Sequence, residues 1–369
     1  MSSDVIHTAW CEILTDRIAN NLSLALSLLP EHAEFCAVLK ADAYGHGIAE
    51  VAAIVCEHRI KTVGITSNAE ARLVREAGFE GTILRLRTAT PSEIAGAVAD
   101  RVQEQVSSLY TAEVIDSLTE HSEGVHLAIN AGGMSRDGLE LNERDGHDTC
   151  QRIVDLLGDR IVGICTHHPS GSEQDLQLSD QHFRSDLNWI FSNTALKREQ
   201  VNVHAGSSLS LISSTPIETD FYRCGAILYG ILKPELGFEH TMQLKAQITN
   251  ITTYPQGSTI GYDRTTTLTR DSRVANIALG YANGFRRNYF GRSHVLIRGQ
   301  LVPVLGKVSM NTIVADVTDI PVVEVEDEVV IFGHQGTGKI DIKRIEMQAD
   351  TIMADIYAEW GQRNPRVYI

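Results

Sequence analysis

The 369-residue chain contains no apolar run of about twenty residues, the length a helix needs to span a bilayer. It has no excess of positive charge. Its 32 Lys and Arg stand against 47 Asp and Glu, a formal net charge of −15, so nucleic acid and anionic membrane surfaces are not expected partners. The six cysteines lie scattered at positions 11, 36, 56, 150, 165 and 224, and none forms a CxxC pair. No metal site is therefore expected. Cys36, Cys165 and Cys224 fall in apolar, strand-like runs and read as buried thiols, while spacing leaves a Cys36–Cys56 bridge open. The start, Met1-Ser2-Ser3-Asp4, lacks a basic region followed by an apolar core. The chain as it stands is expected in the cytoplasm, and a replaced native start would leave a periplasmic location open. No GxGxxG turn follows the first strand-like run, and no low-complexity linker interrupts the chain.

What is present is an ordinary soluble composition, 43% hydrophobic and 21% charged, with ample material for a core. Apolar, β-rich runs occur at 35–40, 62–66, 82–86, 102–106, 124–129, 161–166, 201–204 and 222–229. Helical patterns at 48–58, 68–77, 92–99, 111–121, 145–157 and 176–196 separate them. This alternation predicts a parallel sheet closed into a (β/α)8 barrel within residues 1–236. An open doubly wound sheet is the alternative, and it would usually have fewer strands and a glycine-rich first turn. Beyond that point strand-like runs follow one another without helices, at 243–252, 274–279, 294–298, 302–305, 312–317 and 329–332. Residues 237–369 therefore read as a mainly β domain, closed by one helix from about 344 to 359. The fold class is α/β, a barrel followed by a mainly β C-terminal domain. The short first strand, residues 8–13, is expected to join that second domain.

Chemistry concentrates at the predicted strand ends. Ala37-Val38-Leu39-Lys40-Ala41-Asp42-Ala43-Tyr44-Gly45-His46-Gly47 reads as a buried strand ending in a lysine, then a turn and a helix. Such a lysine either snorkels to solvent or is a desolvated amine of lowered pKa, suited to Schiff-base chemistry. Arg136 follows the fifth strand, His167 ends the sixth, His204 ends the seventh and Arg223 opens the eighth. One strand-end histidine is more often a satisfied core residue, but five polar groups on one rim are harder to dismiss. Gly206-Ser207-Ser208 offers backbone N–H groups and hydroxyls at a helix start, and Gly225 lies in the next unit, where barrel phosphate sites commonly lie. An ordinary serine N-cap fits the same residues by itself.

The lysine segment, Gly133-Met134-Ser135-Arg136, Tyr222-Arg223-Cys224-Gly225 with Leu228-Tyr229-Gly230, Gly280-Tyr281-Ala282-Asn283-Gly284 and Lys307-Val308-Ser309-Met310-Asn311 together carry a resemblance. The chain resembles the fold-type III pyridoxal-phosphate racemases of the alanine racemase family over nearly its whole length. Within that family it looks closest to the broad-specificity group, which its Trp360-to-Pro365 end also resembles. The resemblance implies pyridoxal 5'-phosphate as cofactor and Lys40 as its Schiff-base residue. Arg223 would face the pyridine nitrogen, Tyr44, Ser208, Gly225 and Tyr357 would hold the phosphate, and His167, His204 and Ala226 would complete the cofactor site. Arg136 would orient the substrate carboxylate and the phenol of Tyr281, with Asn130, Met310 and Asn311 on the substrate side. Tyr281 would be the second base, delivered from the partner in a homodimer with shared sites.

Departures from the family pattern bear on substrate range. Asn311 stands where strict alanine racemases commonly have aspartate, and the stretch Ala128-Ile129-Asn130-Ala131-Gly132 carries no lysine. Arg136 is then expected to be supported by Asn130 with a bound chloride. Asp137 and Asn283 depart from the broad-specificity pattern, which often has asparagine and aspartate there. The implied activity is racemisation of free alanine and of longer unbranched or basic amino acids. A strict alanine racemase is the alternative. A basic amino-acid decarboxylase of the same fold is disfavoured by Arg223, and a non-catalytic pyridoxal-phosphate-binding protein by the β domain.

Overall fold

Eight parallel strands, Glu34–Val38, Thr62–Ile65, Thr82–Thr88, Val102–Val106, Val125–Ala128, Ile161–Cys165, Asn202–His204 and Phe221–Cys224, succeed one another around a sheet. The computed structural model describes residues 7–118, 123–134, 136–215, 217 and 219–369. The eighth strand pairs in parallel with the first, Arg223 opposite Cys36. The two-residue strand Gly206–Ser207, which continues the seventh, pairs with the eighth at Tyr222. The sheet thus returns on itself as a barrel. Its strands are buried on both faces, which is why they read as near-continuous apolar runs rather than alternating ones. The helices Ile48–Glu57, Asn68–Glu76, Pro91–Gly96, Leu109–Ser117, Gly146–Leu157 and Glu173–Asn193 lie between them in sequence. The pattern expected at 111–121 ends as a helix at Ser117, and residues 119–122 lie outside the described residues.

The chain divides into two units. The barrel unit is Asn21–Ala43 with Ile48–Leu228, and the other comprises residues up to Asn20, Tyr44–Gly47 and Tyr229–Ile369. In the second unit, strand Ala9–Ile13 pairs antiparallel with Met242–Tyr254 and parallel with the last strand, Arg366–Tyr368. Ser272–Ile277, His294–Ile297, Gln300–Leu305, Ile313–Asp316, Glu328–Gln335 and Gly338–Ile340 complete its sheet. The insertion of Tyr44–Gly47 into this unit depends on two glycines. A Cβ on Gly45 would lie 2.2 Å from the Tyr357 carbonyl oxygen, and one on Gly361 would lie 1.9 Å from the Gly45 oxygen. His46 is fully buried here, stacked on Tyr229 at 4.7 Å and bonded through Nε2 to Thr241 Oγ1 at 2.8 Å.

One expectation fails. The single helix read over 344–359 is two helices, Ile342–Ala349 and Met353–Arg363. Asp350 turns the chain out of the first in a left-handed conformation (φ 54°), and Glu346 Oε1 accepts the Met353 N–H at 2.8 Å to start the second. Apolar spacing continues across the break, so periodicity alone does not reveal it. All six cysteines are free thiols, Cys36 and Cys56 included.

Candidate active site

Leu39 keeps its N–H on the Gly64 carbonyl at 2.8 Å, and the chain then winds the wrong way. Ala41, Asp42, Ala43 and Tyr44 have φ of 55°, 53°, 55° and 55°, four consecutive left-handed residues without a glycine. Each such residue costs about 1–2 kcal/mol, so the turn needs external support. Glu70 provides part of it. Its Oε1 accepts the Ala41 N–H at 2.7 Å, while Oε2 accepts the N–H groups of Thr66 (2.7 Å) and Ser67 (3.1 Å). Asp42 Oδ1 accepts the Ile48 N–H at 2.8 Å on the far side. Glu70 is also the third residue of the capping box that opens its own helix. One carboxylate therefore fixes a helix start and the turn beside Lys40. The Ser67-Asn68-Ala69-Glu70 pattern signals the cap in the sequence, but not its second use.

Lys40 itself is half-buried. Burial first, and the Arg136 charge second, pull its amine down to about 8, while Glu70 works in the other direction. A lysine held there supplies free amine near neutral pH, as Schiff-base chemistry requires. Arg136 Nη2 donates to His167 Nε2 at 3.2 Å. A guanidinium cannot accept, so His167 carries its proton on Nδ1. Burial and the charges of Arg136, Arg223 and Lys40 hold the His167 ring neutral, its pKa brought down to about 2. His167 thus registers three of the sequence-selected cations around one position. Arg136, His167, Arg223, Asn130 and Leu86 line one pocket at this end of the barrel. Asn130 donates its amide to Gly138 O at 3.1 Å, and Asp137 Oδ2 accepts the Thr88 N–H at 3.3 Å.

Arg223 is buried and donates to the His204 carbonyl (2.9 Å), the Thr166 carbonyl (2.6 Å) and His204 Nδ1. No carboxylate pairs with it among the described residues. Its role as donor fixes every proton below it. His204 Nδ1 must accept, so Nε2 carries the hydrogen and donates to His126 Nδ1 at 2.9 Å. His126 Nε2 then donates to Gln103 Oε1 at 2.9 Å. Both rings are kept neutral, His126 with its pKa brought down to about 3, by burial first and then by Arg223. The sequence reading selected His204 and missed His126 and Gln103. They sit inside strand runs, where polar residues give no positional signal of their own.

Ser207 caps the short helix Ser208–Leu211, and Ser208 Oγ accepts the Gly225 N–H at 3.2 Å and the Ile227 N–H at 3.5 Å. The seventh and eighth units meet there, with Ala226 between the two bonded N–H groups. In the second unit, Tyr281 stands on the turn Tyr281–Asn283. Its N–H bonds to Ser309 O (3.0 Å), and Ala282 N–H to Met310 O (2.9 Å). A Cβ on Gly280 would lie 2.3 Å from Ser309 O, so this close approach requires glycine. Arg363 Nη1 donates to Tyr281 O at 2.8 Å, Asn283 Nδ2 donates to Asn364 Oδ1, and Asn364 Nδ2 donates to the Asn283 carbonyl. Met310 is 55% exposed, and Asn311 is exposed beside it. Tyr357 is fully buried with its ring edge on His46, and burial raises its phenol pKa well above the ordinary value.

The barrel donor set fits pyridoxal 5'-phosphate. It combines a low-pKa amine, a buried guanidinium without a carboxylate, a second guanidinium, and serine and backbone donors at a helix start. Residues 13–233 match the family description "Alanine racemase, N-terminal domain", and residues 241–368 match "Alanine racemase, C-terminal domain". The chain belongs to the alanine racemase family. It is 37% identical over 99% of its length to a lysine racemase of Proteus mirabilis, covering 90% of that protein. It is 38% identical over 97% of its length to a broad-specificity amino-acid racemase of Aeromonas hydrophila, covering 89% of that protein. Among solved structures, an alanine racemase of Clostridium difficile superposes with a TM-score of 0.86 at 27% identity, with 99% of this chain and 97% of that one covered.

The electrostatics of Lys40 yield a signed expectation. In enzyme freed of cofactor, selective acylation of Lys40, followed by mass spectrometry against pH, should show an apparent pKa near 8. Arg136→Gln should move it upward, because a positive neighbour is removed. A Lys40 that titrates near the ordinary lysine value of about 10.4 would contradict the burial described above.

Proposed function

We propose that this chain racemises free amino acids with pyridoxal 5'-phosphate, with broad specificity and by two bases. The observation that carries the reading is the pairing of a low-pKa Lys40 with Arg223, a cation that neutral acceptors hold in place. Bound there, the cofactor supplies the electron sink for the negative charge left when the Cα proton departs. Lys40 Nζ takes or returns the proton on one face of Cα, and the Tyr281 phenol serves the other. A phenol, with a reference pKa of about 10, needs a cation nearby to act as a base. Arg136 is the candidate, and it also receives the substrate carboxylate. Arg223 would face the ring nitrogen as a fixed positive donor with no readily shared proton, which would disfavour ring protonation and limit transamination. Ser208 and Gly225 would hold the phosphate, with Tyr44 and Tyr357 assigned to it by family pattern, and Ala226 beside them would belong to the cofactor site. His167 and His204 orient the two guanidinium groups, and Asn130, Met310 and Asn311 face the substrate.

We further read the active form as a homodimer in which Tyr281 of the partner subunit completes each site. Chloride beside Arg136 and Asn130 is the proposed counter-ion where alanine racemases carry a modified lysine. Adding chloride to enzyme in gluconate buffer at constant ionic strength should raise activity saturably. A flat response would remove chloride from the site.

Breadth is supported by the lysine racemase and broad-specificity relatives, by the small Ala131-Gly132-Gly133 stretch and by a neutral Asn311. A strict alanine racemase remains the second reading, favoured by the fold likeness to an alanine racemase. The deciding quantity is kcat/KM for alanine, lysine, arginine, methionine and valine. Several unbranched substrates should fall within about 10³-fold of one another, with valine poor because its branching crowds Cα. Alanine exceeding all others by more than about 10³-fold, roughly 4 kcal/mol of transition-state discrimination, would establish the second reading.

A further inference from the structure

The helix Ile342–Ala349 places Lys343 and Arg344 in its first turn and has no acid there. That end of a helix is the positive end of its dipole, where cations are disfavoured. Arg292 and Lys339 join them around one concavity of about 390 Å³ on the second unit. None of these four side chains pairs with a carboxylate among the described residues. Arg292 donates Nε and Nη2 to the Asn288 carbonyl at 3.2 and 3.0 Å, which fixes its guanidinium. The nearby acids are occupied by backbone donors. Asp341 Oδ1, the one carboxylate in the lining, accepts the Arg344 N–H at 3.0 Å, and Glu346 Oε1 accepts the Met353 N–H at 2.8 Å. In a protein of net charge −15, four cations around one lining carboxylate run against the overall balance.

A second, independent observation concerns the lining of the concavity. Gln348, one turn beyond Arg344, is only 5% exposed and lines the same space. Its Nε2 meets no hydrogen-bond partner among the described residues. A buried amide donor left unmet is unfavourable, and a ligand that offers oxygen acceptors relieves it. Behind the cluster, burial and the Arg344 charge push the His294 imidazole pKa down, so this ring adds no charge of its own.

We propose that this concavity is a binding site for a small multivalent phosphoryl anion, free or carried as a phosphate ester. Two guanidinium groups can grip its oxygens in bidentate fashion, two lysines add point charges, and the Gln348 amide in the lining supplies a neutral donor. The same chemistry disfavours the amino-acid substrates, whose ammonium group would face four cations.

The test uses holoenzyme saturated with cofactor, so that the cofactor phosphate site is already filled. Titration calorimetry at constant ionic strength with inorganic diphosphate should give one saturable site per chain, with Kd below about 1 mM. Inorganic phosphate should bind more weakly. Adenosine diphosphate distinguishes the sources: an affinity equal to that of diphosphate indicates that an ester enters, and its exclusion restricts the site to the free anion. The double variant Lys343→Gln/Arg344→Gln should weaken diphosphate at least about tenfold, and Gln348→Leu should also weaken it. Racemisation in the absence of the anion should be unchanged in the double variant. Absence of saturation up to about 10 mM, or an affinity in the double variant equal to that of the native chain, would overturn the proposal.

Discussion

The hydrogen bond from Arg223 to His204 organises the interior of the barrel unit. A guanidinium can only donate, so one contact dictates the tautomers of two buried imidazoles and the orientation of Gln103 beneath them. Those rings stay neutral, and no carboxylate among the described residues offsets the charge of Arg223. Lys40, Arg136 and Arg223 then act together on His167, and burial and Arg136 also lower the pKa of Lys40. A carboxylate in place of His204 would pair with Arg223 and offset the positive charge that the neutral imidazole leaves uncompensated. Proton placement in the barrel therefore follows from one donor-only guanidinium.

The turn that carries Lys40 rests on a different constraint. Four left-handed residues in succession store strain that the local sequence cannot release, since no glycine lies among Ala41, Asp42, Ala43 and Tyr44. Glu70 and Asp42 hold the turn through backbone N–H groups, and Gly45 and Gly361 hold the following loop through close backbone contact. In the second unit, Tyr281 is fixed by residues far along the chain: Arg363 bonds its carbonyl, Trp360 Nε1 bonds Gly284 O at 3.3 Å, and Asn364 bonds Asn283. The terminal helix therefore positions this proposed base and is more than a cover for the sheet.

Much of this was legible in the sequence where the signal was local. Apolar runs marked the barrel strands to within a residue or two, apart from the eighth, where the run to 229 overran the strand Phe221–Cys224. Strand-end position picked out Lys40, His167 and His204. Signals that depend on tertiary partners were not legible. Left-handed residues without glycine leave no mark in composition, and a capping glutamate does not announce a second partner 29 residues away, as Glu70 has in Ala41. His126 and Gln103 look like any polar residue within a strand until the barrel closes around them. The break at Asp350 escaped because apolar spacing persists through it.

The central claim, that Lys40 of one chain and Tyr281 of another form a two-base site, is tested most directly by hybrid complementation. Lys40→Ala and Tyr281→Phe should each lose racemisation, Tyr281→Phe by about 10²-fold or more while retaining the cofactor. When the two inactive proteins are mixed under conditions of demonstrated subunit exchange, activity should return, because one site of each hybrid dimer has both residues intact. Exchange without recovery of activity would contradict the shared site, and near-native rates in Tyr281→Phe alone would remove the second base.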